Sequence, residues 1–141
     1  MSEETSKYVV TTMCSSPDNA PLTLNEYQQR AMTTCMDSCS NFSYMFLNLV
    51  GEVGELASKV AKHIRKDKAE IVDNHLCNGA DETLSESDLI DMRRECGDIA
   101  WQLAGLCRVM GWTLEEVCRE NLAKLADRKE RHVIDGFGDN R

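Results

Sequence analysis

Three features of this 141-residue sequence predict an all-α fold, a bundle of four to five helices behind a flexible N-terminal arm. Apolar residues recur every three or four positions over long stretches, the spacing that lines one face of a helix. Two Thr-x-x-Glu signatures stand where such stretches begin, as capping boxes do. No stretch alternates apolar and polar residues as a half-buried strand would.

The elements follow in order. Residues 1–22 are rich in Ser, Thr, Asn and Pro and read as the arm, leaving 23–141 as the folded domain. Thr23 and Glu26 open a first helical segment, "LNEYQQRAMTTCMDS". A second is expected from Phe42 to about Arg65, with Phe42, Met45, Phe46, Leu49, Val53, Leu56, Val60 and Ile64 on one buried stripe. Between Lys66 and Ser87 the periodicity lapses, and "NHLCNGADETLSES" has the composition of a loop. A third helix is expected from about Asp88 to Met110, its stripe running through Leu89, Met92, Cys96, Ile99, Leu103 and Met110, with Gly111 ending it. Thr113 and Glu116 then open a fourth helix toward Arg131. The closing "GFGDNR" cannot be helical throughout.

Composition narrows the function. With 42% hydrophobic and 28% charged residues the chain is neither disordered nor membrane-embedded in type. Its longest uncharged run, Ser38 to Gly51, falls short of the ~20 apolar residues needed to span a bilayer. A net charge of −8 argues against stable DNA or RNA binding, which neutralises phosphates with basic residues. The acidic start "MSEETSKYVV" has no signal-peptide pattern. Seven cysteines without a Cys-x-x-Cys pair fit reduced thiols in a cytoplasmic setting, with Cys96 and Cys107 expected to be buried.

The chemistry is concentrated in "LVGEVGELASKV" and "RRECGDIAWQLAGL". Glu52 and Glu55 are three apart beside an apolar stripe, and so are Glu95 and Asp98. Residues three apart on a helix project within about 60° of each other. Two antiparallel helices therefore bring four carboxylates together. Such a group repels itself unless protons or a cation intervene, and all-oxygen ligation suits Mg²⁺, with Mn²⁺ an alternative. On spacing alone, the polar border of two apolar stripes accounts for these acids equally well. No Glu-x-x-His accompanies them, which disfavours a di-iron bundle.

Several segments tip that balance. "TLNEYQQRA", "LVGEVGELASKVAKHIRKD", "ECGDIAWQLAGLCRVMGWTLEEVCRENLAKLADRKER" and "GFGDNR" resemble the MazG-like family of all-α nucleoside triphosphate pyrophosphohydrolases, in the family's order, from Thr23 to Arg141. The resemblance implies Mg²⁺-dependent hydrolysis of a nucleoside triphosphate, a dNTP above all, to the monophosphate and pyrophosphate. Glu52, Glu55, Glu95 and Asp98 would be both the metal ligands and the catalytic group. A dUTP/dCTP or phosphoribosyl-ATP specialist belongs to the same superfamily, and a helical nucleotide sensor or partner-binding protein without turnover is the rival class.

Residues 56–94 separate the two acid pairs, longer than the family's usual connection, so 66–87 reads as an insertion or a pair of short extra turns. Cations are expected at the phosphates. Asn121, Lys124 and Arg128 share one face of the fourth helix, and Gln28 and Lys62 are further candidates. Wide apolar stripes, and helix pairing in the family, predict a homodimer or homotetramer.

Overall fold

The structure, a computed structural model, describes residues 21–80 and 82–135. Its elements are α1 (Leu24–Met32), a 3₁₀ turn (Asp37–Cys39), α2 (Phe42–Arg65), β1 (Ala69–Val72), β2 (His75–Asn78), α3 (Glu86–Val109) and α4 (Leu114–Glu130). All but the last two residues of the expected arm, and the "GFGDNR" segment, lie outside the described residues. Among those described, no helix is long and apolar enough to cross a membrane.

Helix starts are set by short polar side chains. Thr23 Oγ1 accepts the Glu26 amide at 3.1 Å, and Thr113 Oγ1 accepts the Glu116 amide at 3.1 Å, as the two signatures predict. Asn41 Oδ1 takes the Tyr44 amide at the head of α2. A third capping box opens α3: Ser85 Oγ accepts the Asp88 amide, and Asp88 Oδ2 accepts the Ser85 amide. α3 ends where Gly111 takes φ +75°, a left-handed conformation that glycine adopts without strain.

The segment expected to be a loop contains a β-hairpin. β1 and β2 pair antiparallel with Ala69 opposite Asn78 and Val72 opposite His75. Asp73 and Asn74 between them both have positive φ, 51° and 65°, the two-residue turn whose twist matches paired strands. The strands are only four residues long and their burial does not alternate cleanly, so period-two patterning is too weak to read. Gly79 closes the hairpin because a Cβ there would run into the Asp67 carbonyl.

The described chain forms two compact units: Phe46–Gln102, and Leu22–Met45 with the chain from Leu103 onward. In the first, Ala69, Leu84 and Met92 form a buried cluster, with Leu56, Val60, Leu76 and Leu89 packed against it. These contacts join the C-terminal half of α2 to the hairpin and the N-terminal half of α3. In the second, Gln28 is buried on α1 and fastens three backbone groups. Its Nε2 donates to Ala104 O (3.1 Å) and Trp112 O (3.2 Å), and its Oε1 accepts from Leu114 N (3.0 Å). Arg108 Nη1 donates to Met32 O at 3.1 Å. Gly105 faces Met45, whose sulfur occupies the space a Cβ would need.

Two stripe assignments need correction. On α2, Phe42, Phe46, Val53 and Ile64 are exposed, while Met45 is buried and Leu49, Leu56 and Val60 are half-buried. At about 100° per residue the expected stripe covers an arc of about 100°, and only the edge that carries Met45, Leu49 and Leu56 turns inward, while Phe46, Val53 and Ile64 mark the outward edge. On α3 Cys96 and Leu103 are exposed, and the buried side chains include Met92, Glu95, Gln102 and Ala104. Cys107 is buried, and that burial raises its thiol pKa.

Candidate active site

The carboxylates of Glu52 and Glu55 on α2 meet Glu95 on α3 in the first unit. One carboxylate oxygen from each lies within 4.8 Å of the other two. The helices run antiparallel here: Lys59 approaches Asp91 and Glu95, while the charge of Asp98 acts on Glu52, one to two turns earlier on α2. Asp98 is outside that group of three, and its carboxylate contributes by charge.

The three acids differ in environment. Glu95 is 7% exposed, Glu52 half-buried and Glu55 exposed. Burial, then the charges of Glu55, Asp98 and Glu95, push the Glu52 carboxyl above its ordinary range. The part of that shift that burial does not account for comes from negative groups crowded together.

A cation that the motif reading misses partly compensates them. Lys59 Nζ lies 2.5 Å from Glu95 Oε1 and donates to Asp91 O at 3.4 Å. The hydrogen bond to Glu95 holds the ammonium more firmly protonated than usual. Its signal was present in the sequence: Lys59 stands four residues after Glu55 and seven after Glu52, on the acids' side of α2.

The donor set fits a hard divalent ion. It consists of oxygens only, and ligand distances of about 2.0–2.2 Å would place bound oxygens within about 4.4 Å of one another, so acids already within 4.8 Å need only a small side-chain adjustment. Gly51, Gly54 and Gly97 beside the acids have open space where a Cβ would stand.

The other expected site residues are more dispersed. Lys62 is exposed on α2, and Asn121 and Lys124 are exposed on α4. Arg128 does not share their solvent-facing character: it is 7% exposed. Gln28 lines a cleft of about 440 Å³ in the second unit, together with Gln29, Met32, Thr33, Arg108 and Trp112. Its amide is engaged by the backbone bonds described above.

Fold and site together define a helical carboxylate-cluster protein with the Glu-x-x-Glu and Glu-x-x-Asp pairs on facing helices. Comparison with known proteins makes this specific. The model of the MazG nucleotide pyrophosphohydrolase domain matches residues 41–133, and the chain belongs to that family. It is also similar to the Gene 37 protein of Mycobacterium phage L5, 39% identical over 105 residues that cover 74% of this chain and 81% of the relative. That name states no activity. No solved structure matches the chain.

Proposed function

We propose that the protein hydrolyses a nucleoside triphosphate, with dNTPs the foremost candidates, to the nucleoside monophosphate and pyrophosphate in a Mg²⁺-dependent reaction. The observation that carries this reading is the convergence of Glu52, Glu55 and Glu95 within 4.8 Å in a chain of the MazG nucleotide pyrophosphohydrolase family. The reaction consumes one water, breaks the bridge between the α and β phosphorus atoms, and leaves the broken bridge as two phosphate oxygens. Glu52, Glu55, Glu95 and Asp98 would hold the metal. When bound, it offsets negative charge on the phosphates and makes a bound water more acidic.

The chain's own residues divide the remaining work. Glu95, buried and paired, is the anchoring ligand. Glu55, the exposed member, has access to solvent and is our candidate to accept the proton of the attacking water. Asn121 and Lys124 are exposed and available to phosphate oxygens, where a charge-assisted hydrogen bond is among the stronger ones. Reduced thiols fit a cytoplasmic setting.

A homodimer, at least, completes this reading. Phe46, Val50, Val53 and Ile64 recur along one exposed side of α2, with Val50 61% and Val53 51% exposed. An apolar strip of this kind is best covered by a second copy.

The test is release of pyrophosphate from a panel of NTPs and dNTPs with Mg²⁺ and with chelator. We expect at least one substrate to yield monophosphate and pyrophosphate in equal amounts, and EDTA to abolish the reaction. Release of orthophosphate instead, or no turnover of any nucleotide, would overturn the assignment.

A further inference from the structure

The acid cluster carries its own cation, and the geometry gives that cation a definite task. Glu95 is the most buried of the clustered acids, and a buried carboxylate without a partner is costly. Lys59 meets it at 2.5 Å through Oε1, with the Asp91 carbonyl 3.4 Å away as a second tether. The lysine side chain is 31% exposed against 9% for that of Glu95, so the ammonium reaches inward from the solvent side on a flexible stem. A divalent ion ligated by Glu52, Glu55 and Glu95 would sit a few ångströms from this ammonium, and two cations so close repel.

We propose that Lys59 is a positioning residue: it holds the metal-free acid cluster together and releases Glu95 when a divalent cation enters. The inference rests on the reading of the cluster as a metal site. One cation exchanges for another, so Lys59 stabilises the empty site and competes with the incoming ion. An ordinary structural ion pair would contribute to stability without opposing metal.

The test compares wild type, Lys59→Met and Lys59→Arg without nucleotide, by calorimetric titration with Mn²⁺ and by melting temperature. Metal-free Lys59→Met should melt about 2–8 °C lower than wild type. It should bind Mn²⁺ about three- to tenfold more tightly, as expected when one partly exposed charge is removed. Saturating Mn²⁺ should narrow the difference in melting temperature. Lys59→Arg keeps the charge and should keep the weaker affinity.

Wild type alone gives a second readout. Saturating Mg²⁺ should speed acetylation of Lys59, followed by mass spectrometry, while the exposed Lys129 reacts at an unchanged rate. Equal or weaker Mn²⁺ affinity in folded Lys59→Met would overturn the role of Lys59 and leave the metal site standing. No Mn²⁺ binding by wild type or by Lys59→Met would overturn both. Should Lys59→Met fail to fold, the labelling decides, and unchanged reactivity of Lys59 overturns the inference.

Discussion

Glu55 and Asp98 illustrate how much a single charge decides at this site. Both contribute to the field that raises the Glu52 carboxyl, yet both are exposed and neither is needed to fill the core. Glu55→Gln and Asp98→Asn preserve shape and remove one charge each. Pyrophosphate release should fall by about 10²- to 10³-fold in each, the size of losing one well-placed electrostatic group. Circular dichroism and melting should show folded proteins, and the metal-free variants should melt no lower than wild type, because a repulsion has been relieved. Full turnover by both variants at saturating Mg²⁺ would remove these residues from the site. The same field has a pH consequence. The raised Glu52 pKa means that the folded, metal-free protein binds more protons than the unfolded chain as pH falls through it. That carboxyl therefore adds stability toward acid and opposes folding above its raised pKa.

Among the elements, α3 depends most visibly on its start. Ser85 and Asp88 satisfy each other's backbone amides, and Lys68 stands 3.7 Å from the Asp88 carboxylate. The hydrogen bonds from Ser85, backbone first and then hydroxyl, with Lys68 a smaller contributor, hold the Asp88 carboxyl below its usual range. A depressed carboxyl contributes stability above its unfolded pKa and loses it as pH falls through the folded value. Ser85→Ala should cost about 0.5–2 kcal/mol in urea denaturation at neutral pH. The loss should shrink once Asp88 is protonated in wild type. A constant difference down to the lowest pH at which the protein folds would show that the box does not depend on the Asp88 charge. The hairpin before α3 belongs to the same unit: Leu84 and Ala69 pack with Met92, one turn from Glu95. The segment between the acid pairs thus builds part of this unit's core.

For the whole molecule, the outward half of the α2 stripe is the feature a lone chain leaves unexplained. Val50 and Val53 expose β-branched side chains one turn apart, and Phe46 and Ile64 extend the strip in both directions. Val53→Asp should shift the protein from dimer or larger to monomer in sedimentation at micromolar concentration. It should leave the helical circular dichroism signal intact, since that position contributes little to the chain's own core. A wild type that sediments as a monomer while turning over nucleotide would defeat the proposal that copies pair through α2.

The helices and the acid pairs were legible in the sequence because both follow from local geometry. Thr23, Thr113 and Gly111 mark helix ends through bonds and dihedrals that span only a few residues. Three-residue spacing alone puts Glu52 with Glu55 and Glu95 with Asp98. Tertiary structure decided the rest. Whether Val53 or Glu95 faces inward depends on which edge of a helix meets its neighbours, and periodicity does not carry that information. It also decided that Asp73 and Asn74 turn a hairpin, because four-residue strands gain their stability from packing Ala69 and Cys77 inside and not from their own pattern. Lys59 owes its place to the same cause: its partner Glu95 is 36 positions away in the chain, and only the packing of α2 against α3 brings the ammonium to the buried carboxylate.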